Sequence, residues 1–243
     1  MVFGIAQLIK GLLMFSTQIS TGLLVKHKGV KVNYTRKLNH FVLFLVPVLL
    51  DTLFPYENSV FTLLTSAFVA TIPLLMYVKP IRSRNRVIAL MFLSFDRPED
   101  RPHTMRWLLT QTIVGYLVMI PMGVIFFSMG LEYLIFIPVL INGLGDGLAE
   151  PIGVRYGRHS YNVRALFTDK KYVRTIEGSL CVYLASLLII FLFGPVFPTQ
   201  FQLVVALLVV PIVMTVAEAI SPHTWDTPLL FLVGYGSLLL ILL

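Results

Sequence analysis

Apolar windows of about 20 residues, each long enough to cross a bilayer core of about 30 Å, recur along this chain near residues 3–25, 41–56, 59–78, 107–129, 131–149, 177–195, 201–220 and 228–243. They predict an all-α fold, a polytopic integral membrane protein of about eight transmembrane helices that form a single transmembrane domain over residues 1–243. Composition agrees: 57% of the residues are hydrophobic and 13% charged, where a soluble globule has an apolar share nearer half and a charged share nearer a quarter.

Lysine and arginine orient the spans. Apart from Lys10 they lie in three segments: Lys26 to Lys37, Lys79 to Arg106, and Arg155 to Arg174. With eight spans these segments share one face, which the positive-inside bias makes cytoplasmic, and both termini lie opposite. His27, His40, His103, His159 and His223 fall on the same face. The formal net charge of +7 is interleaved with apolar runs, so it suits anionic headgroups or a phosphorylated small molecule and not nucleic acid.

Smaller features narrow the expectation. The N-terminus has neither the basic leader nor the cleavage site of a signal peptide, so the first run reads as a retained span. Cys181 is the single cysteine, which excludes a disulfide or a thiolate metal site within one chain. Val87–Phe95 is too short to cross and is flanked by arginines, so it reads as an amphipathic element lying in the interface, followed by a proline-broken polar turn over Asp96–His103. The opposite face has only tight connections, Pro55–Asn58 and Gly194–Thr199. With no soluble domain on either side, activity belongs to the membrane core and the cytoplasmic segments.

The chemistry gathers between Asn142 and Ser179. On a helix Asn142, Asp146 and Glu150 recur every four residues and project from one face. Two carboxylates so placed repel unless a cation stands near them, and intramembrane charges are kept for function or paired. Either they hold Mg²⁺, which takes one or two carboxylates together with phosphate oxygens, or each pairs with an arginine of the basic loop that follows. Pro151 disfavours α geometry at Glu150 yet suits the first position of a helix, so the chain is expected to end one helix at Glu150 and open another. Gly145, Gly147, Gly153 and Gly157 keep that joint free of side chains, although Gly153 and Gly157 also form a small-xxx-small helix-packing pattern. Arg155, Arg158, His159, Arg164, Lys170, Lys171 and Arg174 could clamp a polyphosphate, as phosphoryl transfer requires, or could simply mark the inner face. Arg174 precedes Thr175, Glu177, Gly178 and Ser179, where a span begins.

Two further polar clusters reach the same face: Arg36-Lys37-Leu-Asn39-His40 before the second span, and Glu218-Ala-Ile-Ser221-Pro-His223-Thr-Trp225-Asp226-Thr-Pro228 between the last two. Glu218 and Asp226 are candidates for metal or hydroxyl contacts. Asp51 lies towards the opposite face and reads as structural.

Taken in order, the four clusters resemble the CTP-dependent lipid kinase family that includes phytol kinase, dolichol kinase and the fungal diacylglycerol kinase. The family's Arg-Lys-x-x-His looks like Arg36, Lys37 and His40, and its Gly-Asp-x-x-Ala-x-x-x-Gly-x-x-x-Gly looks like Gly145, Asp146, Ala149, Gly153 and Gly157. Its Lys-Ser/Thr-x-Glu-Gly-Ser/Thr resembles Arg174, Thr175, Glu177, Gly178 and Ser179, with arginine where the family usually has lysine. Its late Glu-Ala…Pro…Asp resembles Glu218, Ala219, Pro222 and Asp226. The similarity covers residues 34–228.

The resemblance implies a kinase that phosphorylates the hydroxyl of a membrane lipid alcohol, an isoprenoid alcohol or diacylglycerol, with CTP and Mg²⁺. On that basis Asp146, Glu150 and Glu218 hold the metal, and Asp146 with Asp226 or His40 serves catalysis, the last two as alternative bases. Asn142, Gly145, Gly147, Gly153, Arg155, Gly157, Arg158, Arg174, Thr175, Glu177, Gly178, Ser179 and Lys37 hold the nucleotide and its phosphates. Two competing functions are phosphatidate cytidylyltransferase, whose C-terminal signature has no match here, and a transporter or scramblase, for which the chain has no repeat symmetry.

Overall fold

The computed structural model describes residues 2–57 and 59–243. The chain divides into two compact units, one ending at Thr110 and the other running from Gln111 to Leu243. Helices dominate both. In the first unit they are α1 (Val2–Lys28), α2 (Val32–Leu53), α3 (Val60–Met76), the single turn α4 (Lys79–Arg82) and α5 (Arg86–Leu93). The division falls within α6 (Thr104–Ser128). The second unit continues with α7 (Phe136–Ile141), a π-helical turn over Asn142–Asp146, α8 (Gly147–Tyr156), strands β1 (Ser160–Ala165) and β2 (Thr168–Thr175), then α9 (Ile176–Leu192), α10 (Gln200–Ile220) and α11 (Asp226–Leu242).

By length and composition four helical segments can cross a membrane: Val2–Lys28, Thr104–Ser128, Glu132–Tyr156 and Gln200–Ile220. Three shorter apolar helices accompany them, Val60–Met76, Ile176–Leu192 and Asp226–Leu242, while α2 carries Arg36, Lys37 and Asp51 and belongs to neither group. Large apolar side chains such as Phe61, Phe68, Leu117, Phe191 and Leu240 stand exposed on the helix surfaces, as a hydrocarbon solvent allows and water does not. This is a membrane protein. Each of the apolar windows read from the sequence falls on a helix. The Pro55–Asn58 connection ends on a residue outside those described.

Two local expectations meet a different outcome. The basic loop after α8 is a β-hairpin, so the fold is not wholly helical. β1 and β2 pair antiparallel with Tyr161 opposite Arg174 and Val163 opposite Tyr172, and these residues turn inward while Asn162, Arg164, Lys171 and Val173 turn out. Nor does the helix end at Glu150. Pro151 sits inside α8, where the N–H it lacks would have bonded Gly147, a loss that membrane helices tolerate. The irregularity lies one turn earlier, in the π turn of Asn142-Gly-Leu-Gly-Asp146, a feature frequent at functional sites. No pair of helix ends therefore meets at Glu150 to present carbonyls to a cation and amides to an anion.

Val87–Phe95 is largely helix α5, capped by the Asn85 side chain accepting from the N–H groups of Val87 and Ile88. Ile88, Met91 and Phe92 are buried with Tyr77 in the core of the first unit. A buried polar web crosses the same region, in which Asn39 Nδ2 donates to Ser94 Oγ at 2.9 Å and to Thr21 Oγ1 at 3.1 Å.

Lys10 is the one basic residue outside the three segments. Its ammonium lies 2.5 Å from Asp51 Oδ1 within the first unit, and the two side chains are 4% and 20% exposed. The exception to the charge distribution is thus a buried ion pair that ties α1 to α2. Asp51 is structural, as its sequence position suggests.

Candidate functional site

The second unit draws together side chains from the π turn, both strands of the hairpin, α9, α10 and α11. Arg174 is the centre. It occupies the penultimate position of β2 on the hairpin's inward face, and its Nη1 donates to Glu218 Oε1 and to Ser221 Oγ, both at 3.0 Å, and to the Glu218 carbonyl. Its Nη2 lies 3.7 Å from Asp226 Oδ2. Glu218 stands on the last turn of α10, and Asp226 opens α11, where a carboxylate is favoured by the helix dipole. The short connection between them, Ser221 to Trp225, brings both acids to one guanidinium.

Ser179, in the first turn of α9, extends the cluster. Its hydroxyl donates to Glu218 Oε2 at 2.7 Å, and the Tyr161 hydroxyl lies 2.7 Å from Ser179 Oγ. Because Ser179 spends its proton on Glu218, Tyr161 is the donor to Ser179. Burial and the nearby Glu218 charge push the Tyr161 phenol up, so it keeps that proton. On the π turn, Asn142 Oδ1 accepts from Thr227 Oγ1 at 3.3 Å, which links the turn to the start of α11.

The electrostatics centre on Arg174. Burial opposes the charge on Arg174, but the carboxylates of Asp226, Glu218 and Asp146 outweigh it and raise the guanidinium above its ordinary value. Glu218 is 4% exposed and Asp146 5%, so neither is solvated as a surface acid is. Three carboxylates thus act on one guanidinium. Among the described residues no three His, Cys, Asp or Glu side chains form a group able to hold a metal ion by themselves. Mg²⁺ asks for less, since it keeps waters and takes substrate phosphate alongside one or two carboxylates. In charge and donor type Asp146, Glu150 and Glu218 fit that ion.

The remaining residues singled out from the sequence are distributed as follows. Glu150 is half-buried on α8, one turn beyond Asp146. Glu177 pairs with His159, Oε1 to Nδ1 at 2.7 Å. Thr175 caps α9 by accepting from the Gly178 N–H at 3.1 Å. Arg155 and Arg158 stay exposed, the former 5.3 Å from the Tyr156 ring centroid. The glycines serve packing: a Cβ on Gly145 would stand 2.9 Å from the Val182 Cα, on Gly153 2.7 Å from Thr175 Oγ1 and on Gly178 2.7 Å from the Ala149 carbonyl oxygen. Gly157 is likewise closed in by Thr175, and Gly147 is buried at the start of α8. Lys37 and His40 belong to α2 in the first unit, Lys37 buried and the His40 ring 4.7 Å from that of Phe44.

Three participants were not singled out from the sequence: Tyr161, Ser221 and Thr227. Tyr161 could have been found from the alternation Tyr161, Val163, Ala165. Ser221 and Thr227 lie inside the polar connection already quoted, but nothing there distinguishes them from ordinary loop hydroxyls. His223 locks the hairpin: its N–H donates to the Arg164 carbonyl at 2.8 Å, and its ring stacks on Tyr172 at 3.6 Å.

Compared with known proteins, the chain is 40% identical over 68 residues to the phytol kinase of Synechocystis sp., a stretch that covers 28% of this chain and 27% of that protein. The chain thus matches about a quarter of that curated relative's length. No family model and no solved structure matches.

Proposed function

We propose that this protein is a membrane-embedded kinase that transfers the γ-phosphate of CTP to the hydroxyl of a lipid alcohol. The observation that carries the proposal is the convergence of Glu218, Asp226 and Asp146 on Arg174, with Glu218 and Asp146 buried. Acids gathered in this way suit Mg²⁺, which takes one or two carboxylates alongside phosphate oxygens, and nucleotide phosphates arrive in water with that ion. Asp146 and Glu218, with Glu150 beside them, would hold that ion, which when bound supplies positive charge to the oxygens of the transferring phosphoryl group. Asp226 is the group that takes the hydroxyl proton. As that proton leaves, the lipid oxygen bonds to the γ-phosphorus, the bond from that phosphorus to the bridging oxygen breaks, and CDP departs with the electron pair. Arg174 holds Glu218 and Asp226 in place for this work and offsets part of their repulsion.

The similarity to a phytol kinase supports lipid phosphorylation, and the motif order supports CTP. We assign the site to the cytoplasmic face on the distribution of basic residues. The test is incubation of the purified protein with CTP, Mg²⁺ and a panel of phytol, farnesol, a polyprenol and diacylglycerol, with products read by mass. A lipid monophosphate from one of these alcohols is expected; no phosphorylated lipid from any of them would overturn the proposal.

One observation favours a second function. In sequence Glu218, Asp226 and Asp146 are dispersed over several spans, but the structure gathers them, and a dense carboxylate cluster also suits attack on the α-phosphate by a lipid phosphate. That chemistry, the phosphatidate cytidylyltransferase reaction, would release pyrophosphate and a CDP-lipid.

A further inference from the structure

The inward face of the β-hairpin is accounted for by the site. Its outward face is not. The register places Arg164 directly opposite Lys171, both exposed on the outward face. Like charges facing each other across a strand pair destabilise it, and among the described residues neither side chain has a carboxylate partner. Lys170 adds a third exposed charge, and Asp169 at the turn is the only acidic residue of the hairpin. Beside this pair stand large apolar groups: Val173, on the outward face, is 69% exposed, and Phe167, at the tip with a left-handed φ of 68°, is 48% exposed. A bulky side chain rarely takes that conformation.

The hairpin's position follows from its connections. It leaves the end of the membrane-length segment Glu132–Tyr156 and leads into the apolar helix α9, so its strands run where hydrocarbon gives way to headgroups. The contacts of His223 with Arg164 and Tyr172 hold it against the α10–α11 connection within the same unit. A cationic pair with flanking aromatic and aliphatic side chains, fixed at that depth, matches one environment: the phosphate layer of an anionic bilayer, with apolar groups entering the acyl boundary.

We propose that the outward face of the hairpin docks on anionic phospholipid headgroups, with lipid phosphate bridging Arg164 and Lys171 and with Phe167 and Val173 inserted beside it. The proposal is independent of the kinase assignment, and its test uses no turnover. Phe167→Cys, in the full chain carrying Cys181→Ala, is labelled with a polarity-sensitive fluorophore and reconstituted in nanodiscs of phosphatidylcholine alone or of phosphatidylcholine with phosphatidylglycerol. The expected result is a blue shift on adding phosphatidylglycerol, reversed by high salt, lost in Arg164→Gln/Lys171→Gln and kept in Arg164→Lys/Lys171→Arg. The same emission in both nanodiscs, or a shift that survives the double glutamine variant, would overturn it. A third arm adds CTP to phosphatidylcholine nanodiscs, and a blue shift there would assign the cationic pair to nucleotide phosphate instead of lipid.

Discussion

The two units each bury an ion pair, and the pairs differ in one respect that matters. Lys10 and Asp51 are one cation and one anion at 2.5 Å; the charges cancel, and nothing further is required of a ligand. Arg174 faces Glu218 at 3.0 Å and Asp226 at 3.7 Å with Asp146 also acting on it, so one cation is shared among several acids. Both arrangements carry a cost of desolvation. In the first the attraction between partners offsets it and the product is a tie between helices; in the second the acids converge from separate elements, as the proposed Mg²⁺ site would require. Burial alone therefore does not distinguish a structural pair from a site, whereas the gathering of several acids on one cation does.

The largest effect expected from this contrast is at Asp146. Asp146→Asn preserves shape and removes the charge that draws Mg²⁺ to the phosphates, so turnover should fall on the order of a thousandfold while the thermal denaturation profile in detergent stays close to that of the parent. Near-normal rates at saturating Mg²⁺ would mean that the acids exist only to hold Arg174, and the two regions would then be alike.

Next come the cations themselves. Arg174→Gln leaves Glu218 and Asp226 buried without their partner and should cost about 3–5 kcal/mol of stability, read from thermal denaturation. Arg174→Lys keeps the charge but loses the planar fork that reaches both acids, so the protein should stay folded with reduced turnover. Lys10→Met should destabilise on a similar scale, but Lys10→Met/Asp51→Leu should return to within about 1 kcal/mol of the parent, since a balanced buried pair is replaceable by apolar groups. A double variant no better than the single, or one that abolishes activity while folded, would give Lys10 and Asp51 a role beyond the tie. The smallest effect is at the edge of the cluster: Tyr161→Phe removes the bond to Ser179 and should cost about 1 kcal/mol.

How much of this was legible from residues alone can be judged position by position. The apolar helices were, four of them long enough to cross a membrane, because long apolar runs are what a bilayer core selects. Asp146, Glu218, Asp226 and Arg174 were legible as charged residues in or beside apolar runs, where charge is costly and so stands out. Their convergence was not, since it depends on a hairpin bringing Arg174 inward and on a tight α10–α11 connection. The hairpin itself was masked by composition: Arg164, Lys170 and Lys171 made it look like a solvated loop, although Tyr161, Val163 and Tyr172 alternate as strand residues do. The break expected at Pro151 followed a preference that holds in isolation, while the continuing helix absorbs the proline and the irregularity appears at Asn142–Asp146 instead. Lys10 was visible as an anomaly, but its partner lies 41 positions away on another helix.

The most direct test of the central claim follows the terminal phosphate of CTP labelled at the γ position, with the lipid alcohol that serves best, through three proteins side by side. Label should pass into a lipid monophosphate with the parent and with Lys10→Met/Asp51→Leu, and not with Asp146→Asn. Label leaving as pyrophosphate while the cytidine enters the lipid, or equal transfer by all three proteins, would contradict the account.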